Sequence, residues 1–285
     1  MNPISANTWI WLSPLDDEGL AELVPKVRAL GFDAIELPVE RLGGWDAGYA
    51  AELLAAHGLG ASLCAAMPPG RDLLSDAEEV RSTQEFLRGC IDTAVRIGSP
   101  VVGGPFSSSV GRTWLLDAGE RRSALAQLAS ALGPVVEHAG ECGVTLALEP
   151  LNRYETSLLN TAEQGLEVVA AVGSAALGLL LDTYHMNIEE KDPAAAIRLA
   201  GRHLVHLHAS GSDRGAPGAD HIDWSSIASA LRDIAYSGTL CIEAFTPALA
   251  PIAEAAHVWR PVALSQDALA RDGVGFLRAL LDASA

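Results

Sequence analysis

Cysteine is scarce in this 285-residue chain: there are four, Cys64, Cys90, Cys142 and Cys241, and no two stand in C-x-x-C spacing. A disulfide framework and a zinc knuckle are therefore not indicated. Cys64 and Cys241 fall in strand-like runs, where a small buried thiol is the expected role. No apolar run is long enough to cross a bilayer. Met1–Asn7 carries no basic cluster and no signal-peptide core follows it, so a soluble cytoplasmic protein with no membrane partner is expected. Basic residues are few as well, 19 Lys and Arg against 36 Asp and Glu, giving a net charge of −17 with no local Lys/Arg cluster. A field of that sign repels phosphate backbones, so nucleic acid is not an expected partner either. Linkers, low-complexity segments and short solenoid repeats are also missing, and residues 1–285 are read as one domain.

What the chain does have is a 49% apolar composition arranged as strand-like runs alternating with Ala- and Leu-rich amphipathic stretches. Strands are predicted near Thr8–Leu12, Ala34–Leu37, Ala61–Ala65, Val101–Gly103, Thr145–Leu148, Leu177–Leu181, Leu204–His208 and Thr239–Glu243. Helical segments fall between them, from Asp17–Leu30 through Asp76–Ile97 and Pro193–Ala200 to Gln266–Leu281. Asp192-Pro193 opens one helix, Asp223 is a candidate N-cap, and Gly140 and Gly143 bracket the end of another. Eight strand–helix units in this length fit a (β/α)8 barrel, the TIM barrel. A doubly wound open sheet would carry a glycine-rich phosphate turn after its first strand. Here Ser13-Pro14-Leu15-Asp16 stands at that point, so the barrel is predicted. Active sites in such barrels lie at the C-terminal ends of the strands.

Four of the runs end on a residue able to bind a divalent metal: Glu149, Asp182, His208 and Glu243. An ionisable group at the end of a buried strand is costly unless it is paired or metal-bound. Any one of them alone reads as a salt-bridged carboxylate or a hydrogen-bonded core histidine; four together suggest one shared site. Three carboxylates and one imidazole suit Mn2+, Co2+ or Mg2+ better than a thiolate-selecting metal. An octahedral ion would keep two positions for adjacent oxygens of a polyol or hydroxy-ketone. Glu155 lies just beyond Glu149, His185 follows Asp182 by three, and Arg214 sits in a glycine-containing loop after His208. His206 shares a strand face with His208, and spacing alone does not choose between them. Trp9, Trp11, Trp114, Phe106 and Cys64 are candidates for an apolar wall, with ordinary core packing as the competing reading. The irregular stretch Ala244–Ser265, holding three prolines and Trp259, is a candidate cover for a site or a subunit contact.

The segments Glu149-Pro150-Leu151-Asn152-Arg153-Tyr154-Glu155, Asp182-Thr183-Tyr184-His185-Met186-Asn187 and His206-Leu207-His208, with Arg214 and Glu243, resemble the D-tagatose 3-epimerase / D-allulose (psicose) 3-epimerase group of the xylose isomerase-like barrels. The resemblance runs from the first strand to the last helix and is strongest between Glu149 and Glu243. It implies metal ligands at Glu149, Asp182, His208 and Glu243, and substrate contacts at Glu155, His185 and Arg214. It further implies epimerisation of a free ketose at C3 through a cis-enediolate, with Glu149 and Glu243 as the acid/base pair on opposite faces of the sugar. Mn2+ or Co2+, with Mg2+ as a third option, would be the cofactor, and a homodimer or homotetramer the assembly. Three competing functions use the same barrel: an aldose–ketose isomerase, a hydroxypyruvate-type isomerase and an inositol-derived dehydratase. The loops of His185 and Arg214 favour the 3-epimerase. Metal-dependent barrel endonucleases need more histidine ligands and a basic face than this chain offers. A silent sugar-binding protein is disfavoured because both expected bases are carboxylates.

Overall fold

The computed structural model describes residues 2–283; Met1, Ser284 and Ala285, at the ends of the expected domain, lie outside the described residues. Eight parallel strands close into a barrel in chain order. They are β1 (Ile4–Asn7), β2 (Ala34–Val39), β3 (Gly60–Ala65), β4 (Val101–Gly104), β5 (Thr145–Leu148), β6 (Leu177–Asp182), β7 (Leu204–His208) and β8 (Leu240–Ile242). Around them run α1 (Asp17–Ala29), α2 (Ala47–His57), α3 (Ala77–Ile97), α4 (Ala118–Cys142), α5 (Ala162–Val172), α6 (Thr183–Glu189), α7 (Pro193–Ala200), α8 (Trp224–Asp233), α9 (Ala250–Ala255) and α10 (Gln266–Asp282). The expected (β/α)8 architecture is present. Among the described residues no helix is long and apolar enough to cross a membrane.

The helices form where local chemistry and packing agree. In α3, Asp76 accepts from the Glu78 and Glu79 amides, satisfying donors that a helix start leaves open. One stripe, Thr83, Phe86, Leu87, Cys90, Ile91 and Ala94, is buried against the barrel at helical spacing. Gly143 ends α4 at φ 69°, a left-handed cap that glycine adopts without strain. Asp223 caps α8 through the Ser226 amide, and Pro193 opens α7 as its Asp192-Pro193 start predicts.

The first strand differs from the sequence expectation. Thr8–Ile10 is a short 3-10 turn, not a strand, and the strand is Ile4–Asn7 immediately before it. The Trp-Ile-Trp pattern of residues 9–11 imitates a strand, but the Asn7 side chain accepts from the Trp9 amide and turns the chain there. The real strand carries Ser5 and Asn7, both fully buried, so its inward face is polar and its periodicity is hidden. Between β6 and β7 the pairing shifts: Leu179 lies opposite Leu204, and Leu180 opposite His206. The extra residue, Val205, is a bulge that resets which β7 side chains reach the interior.

Candidate metal centre and active site

Four strands deliver the predicted ligands to the C-terminal mouth. Asp182 is the last residue of β6, and α6 starts directly after it. The Tyr184 amide donates to Asp182 Oδ1 at 2.7 Å, which pins one carboxylate oxygen to the helix start. α6 carries His185 three residues after Asp182, back toward the mouth. Glu149 and Glu243 each stand one residue past the observed ends of β5 and β8 rather than on the strands. Glu149 still joins the ladder, its amide donating to the Gly104 carbonyl at 2.9 Å. Thr183 Oγ1 donates to the Ser210 carbonyl at 2.6 Å and accepts from the Ser210 amide at 2.8 Å. Ser210 Oγ in turn donates to the Glu243 carbonyl at 2.8 Å, so the ends of β6, β7 and β8 are stitched together.

Glu149, Asp182, His208 and Glu243 are brought together: one ligand atom from each lies within 4.8 Å of the others, and all four are buried. His208 Nδ1 stands 3.4 Å from Glu243 Oε2 and 3.7 Å from Glu149 Oε1. Glu149 Oε1 and His208 Nδ1 are buried without a hydrogen-bond partner. Unpartnered buried polar atoms are costly, and a cation bound between them would remove the cost. Donor type, convergence and unpartnered atoms all fit a hard or borderline divalent ion.

The local field has an excess of negative charge. Burial pushes the Glu149 carboxyl well above its usual range; His208 pulls it down, while Glu243 and Asp182 push it further up. Asp182 is also raised, by burial first, against the pull of Arg214. Glu243 is lowered, because His208 and Arg214 outweigh the effect of its burial. Burial alone would depress His208, but Glu243 and Glu36 lift it well above the ordinary imidazole value.

The expected substrate-contacting residues border the same cavity. His185 Nδ1 accepts from the Asn152 backbone amide at 3.1 Å and lies 2.9 Å from Asn152 Nδ2. Its proton therefore belongs on Nε2, which faces Glu149 at 3.8 Å and Asp182 at 4.0 Å. Burial, with Arg214 and His208 nearby, holds this imidazole well below its usual pKa, so it is a neutral donor. Asn152 Nδ2 also donates to Glu155 Oε1 at 2.8 Å. Arg214 is held rather than loosely hung: it is buried, its guanidinium reaching Asp182 Oδ2 at 2.5 Å and Glu243 Oε2 at 3.0 Å. The group lies over the Tyr184 and Phe245 rings, 4.6 and 4.9 Å from their centroids. Its backbone has φ 67°, a conformation uncommon for a residue with a Cβ, imposed by the turn from Gly211 to Gly215.

A cavity of about 340 Å³ opens between these polar groups and an apolar wall of Trp9, Cys64, Met67, Phe245, Ile252 and Ala256. Trp9 and Cys64 thus lie where the sequence suggested. Trp11, Trp114 and Phe106 do not: the Trp11 indole donates to Asp267, Trp114 stacks with Arg112, and Phe106 is fully buried in the core. The stretch 244–265 is not wholly irregular, since Ala250–Ala255 forms α9 with Pro251 in its first turn, and this short helix lines the cavity with Pro251, Ile252 and Ala255. Asn152, Thr183, Ser210 and Glu36 shape the site and were not singled out from sequence. The signal for Glu36 was present: it is a lone carboxylate in the middle of the apolar run Ala34–Val39.

The closed barrel and its ring of strand-end donors define a class, and the chain belongs to it: the xylose isomerase-like TIM barrel family, matched over residues 24–280. Within that family the chain is similar to D-psicose 3-epimerase of Enterocloster bolteae, 36% identical over 88% of this chain and 86% of that one. It is also similar to ketose 3-epimerase of Arthrobacter globiformis, 31% identical over 98% of this chain and 97% of the relative. A solved structure of an L-ribulose 3-epimerase superposes with a TM-score of 0.93 at 32% identity, covering 100% of this chain and 96% of that one.

Proposed function

We propose that the protein is a divalent-metal-dependent ketose 3-epimerase acting on free ketoses. The observation that carries this reading is the convergence of Glu149, Asp182, His208 and Glu243 within 4.8 Å beside a sugar-sized cavity. The names of the full-length relatives support the same assignment. The four residues would hold Mn2+ or Co2+, with Mg2+ as the third candidate, and the ion would supply Lewis acidity to the sugar oxygens beside the reacting carbon.

Inverting C3 of a ketose requires removing the proton next to the C2 carbonyl and returning one to the other face. Glu149 and Glu243 arrive from β5 and β8, strands separated by two others, so their carboxylates can meet a flat enediolate from different sides. One takes the C3 proton and the other gives a proton back. His185, fixed by Asn152 as an Nε2–H donor, offers a hydrogen bond to an oxygen that gains negative charge as the proton leaves. Arg214 offers a fixed positive charge at the same edge. Glu155, held by Asn152, accepts from a sugar hydroxyl. The wall from Trp9 to Ile252 covers the apolar C–H surface of the sugar and keeps bulk water from the reacting carbon.

Running the reaction with D-fructose, D-tagatose or D-allulose in D2O tests the reading. Deuterium is expected at C3 of the epimerised product, with C1 unlabelled. An aldose product without inversion at C3 would refute it in favour of an aldose–ketose isomerase.

A further inference from the structure

Below the strand-end donors lies a second polar layer that the reaction does not use directly. Its centre is Glu36, in the middle of β2 and fully buried. Oε1 accepts from Asn7 Nδ2 at 3.0 Å, His208 Nε2 at 2.9 Å and Cys241 Sγ at 3.3 Å. Oε2 accepts from Ser62 Oγ at 2.9 Å and His206 Nε2 at 2.7 Å. Donors from β1, β3, β7 and β8 thus meet on one carboxylate. From this geometry we propose that Glu36 is a positioning residue for the metal centre: its carboxylate holds the His208 ring with the proton on Nε2, so that Nδ1 offers its lone pair to the divalent cation. The inference rests on the metal reading given above.

Three observations support it. His208 uses its two nitrogens differently: Nε2 is bonded to Glu36, while Nδ1 is unpartnered and faces Glu149 and Glu243. An imidazole ligand whose far nitrogen donates to a carboxylate is fixed in ring angle and tautomer and is more basic toward the metal. The His206 ring, also bonded to Glu36, packs edge-on against His208 with centroids 5.3 Å apart, so the same carboxylate fixes both rings side by side. Finally, a barrel centre is filled more simply by an apolar side chain, since a buried ionic cluster is seldom more stable than its apolar replacement. Orientation of a ligand accounts for a carboxylate here where stability does not. Glu36, His206, His208 and Cys241 could themselves be read as a second metal site. Against that, His206, His208 and Cys241 already direct their protons at Glu36.

The test begins with the wild-type protein loaded with Mg2+ and labelled with 15N-histidine. NMR should show His208 protonated on Nε2, with Nδ1 shifted by the ion; a His206→Gln sample assigns the signals. In Glu36→Gln and Glu36→Asp, the Mn2+ dissociation constant measured by electron paramagnetic resonance should rise about 10- to 100-fold. Turnover should recover partly at saturating Mn2+. A merely structural Glu36 would lower the melting temperature of the metal-free variants and leave Mn2+ affinity unchanged, which would overturn the proposal. So would ligation through Nε2, or a second equivalent of tightly bound metal. If the variants do not fold, the wild-type spectrum still decides. Wild-type protein that takes up no divalent ion would overturn the metal reading itself, and the proposal with it.

Discussion

Glu149 and Glu243 each carry two duties in the proposed function, ligand and proton carrier, and a single substitution touches both. Glu149→Gln and Glu243→Gln should each lower kcat by about 10²- to 10⁴-fold, the range lost with a general base. Metal content has to be measured on the same samples, since wild-type turnover with metal in place would overturn the acid/base assignment. Arg214 behaves differently because, while lining the cavity, it is buried against Asp182 and Glu243. Removing one member of a buried ion pair leaves the other uncompensated, at a cost of about 3–5 kcal/mol. Arg214→Ala should therefore destabilise the metal-free protein by roughly that amount in urea unfolding. Its kcat/KM should fall while Mn2+ still binds, because the guanidinium and the cation compete for the same carboxylate oxygens. Unchanged metal-free stability would show that the pair is worth little.

The β6–β7 seam tests how the scaffold aims its histidines. A Cβ on Gly178 would meet the His203 carbonyl at 2.8 Å and Val205 Cγ1 at 2.7 Å, so β7 would have to move. Gly178→Ala is expected to cost about 1–3 kcal/mol of stability, and to weaken Mn2+ binding because β7 carries His206 and His208. Gly133→Ala, in α4 with nothing within 4 Å of the new methyl, is the matched control. It should stabilise by up to about 1 kcal/mol through helix propensity and leave metal affinity alone. Equal metal affinity in both variants would separate the seam from the site. The same seam shows what a sequence reveals and hides. Strand count, helix caps and the four strand-end donors were readable, because an apolar run ending on a carboxylate or imidazole contradicts burial unless the group has a partner. The bulge at Val205 was not readable, since register is decided by packing between strands. β1 was missed because its buried face is polar, and Glu36 was passed over because it lies at mid-strand, away from the edge where chemistry was sought. Asn152 stood inside a recognised motif, but its role depends on the His185 tautomer, which only spatial neighbours define.

Across the whole chain, metal and proton compete. In metal-free protein His208 keeps its proton above the ordinary imidazole range, and Glu149 keeps its own above the usual carboxylate range. Both groups must release those protons before they can bind a cation, so affinity should rise with pH through and above 6.5, and uptake should release protons. Calorimetric titration of Mn2+ in two buffers of different ionisation heat measures that release, and identical heats in both would refute it. An ion bound only by the folded state also adds stability: about 2.7 kcal/mol at 100 times its dissociation constant. For a domain of this size that corresponds to a rise in Tm of roughly 4–5 °C, reversed by a chelator. A Tm indifferent to Mn2+ would argue against a cation at this site.

The two sides of the cavity come from different kinds of chain. The proposed ligands stand at the ends of β5, β6, β7 and β8, the last three tied to one another by Thr183 and Ser210. The opposite wall is supplied by Trp9 in its 3-10 turn, by residues 64–68 at and beyond the end of β3, and by α9. Under the proposed function, reactivity and sugar choice are thereby written into separable parts of the sequence. On the same reading, substitutions in α9 are expected to retune which ketose is accepted while the proposed ligands and bases stay in place, and a library confined to residues 250–256 would search preference without first having to rescue turnover.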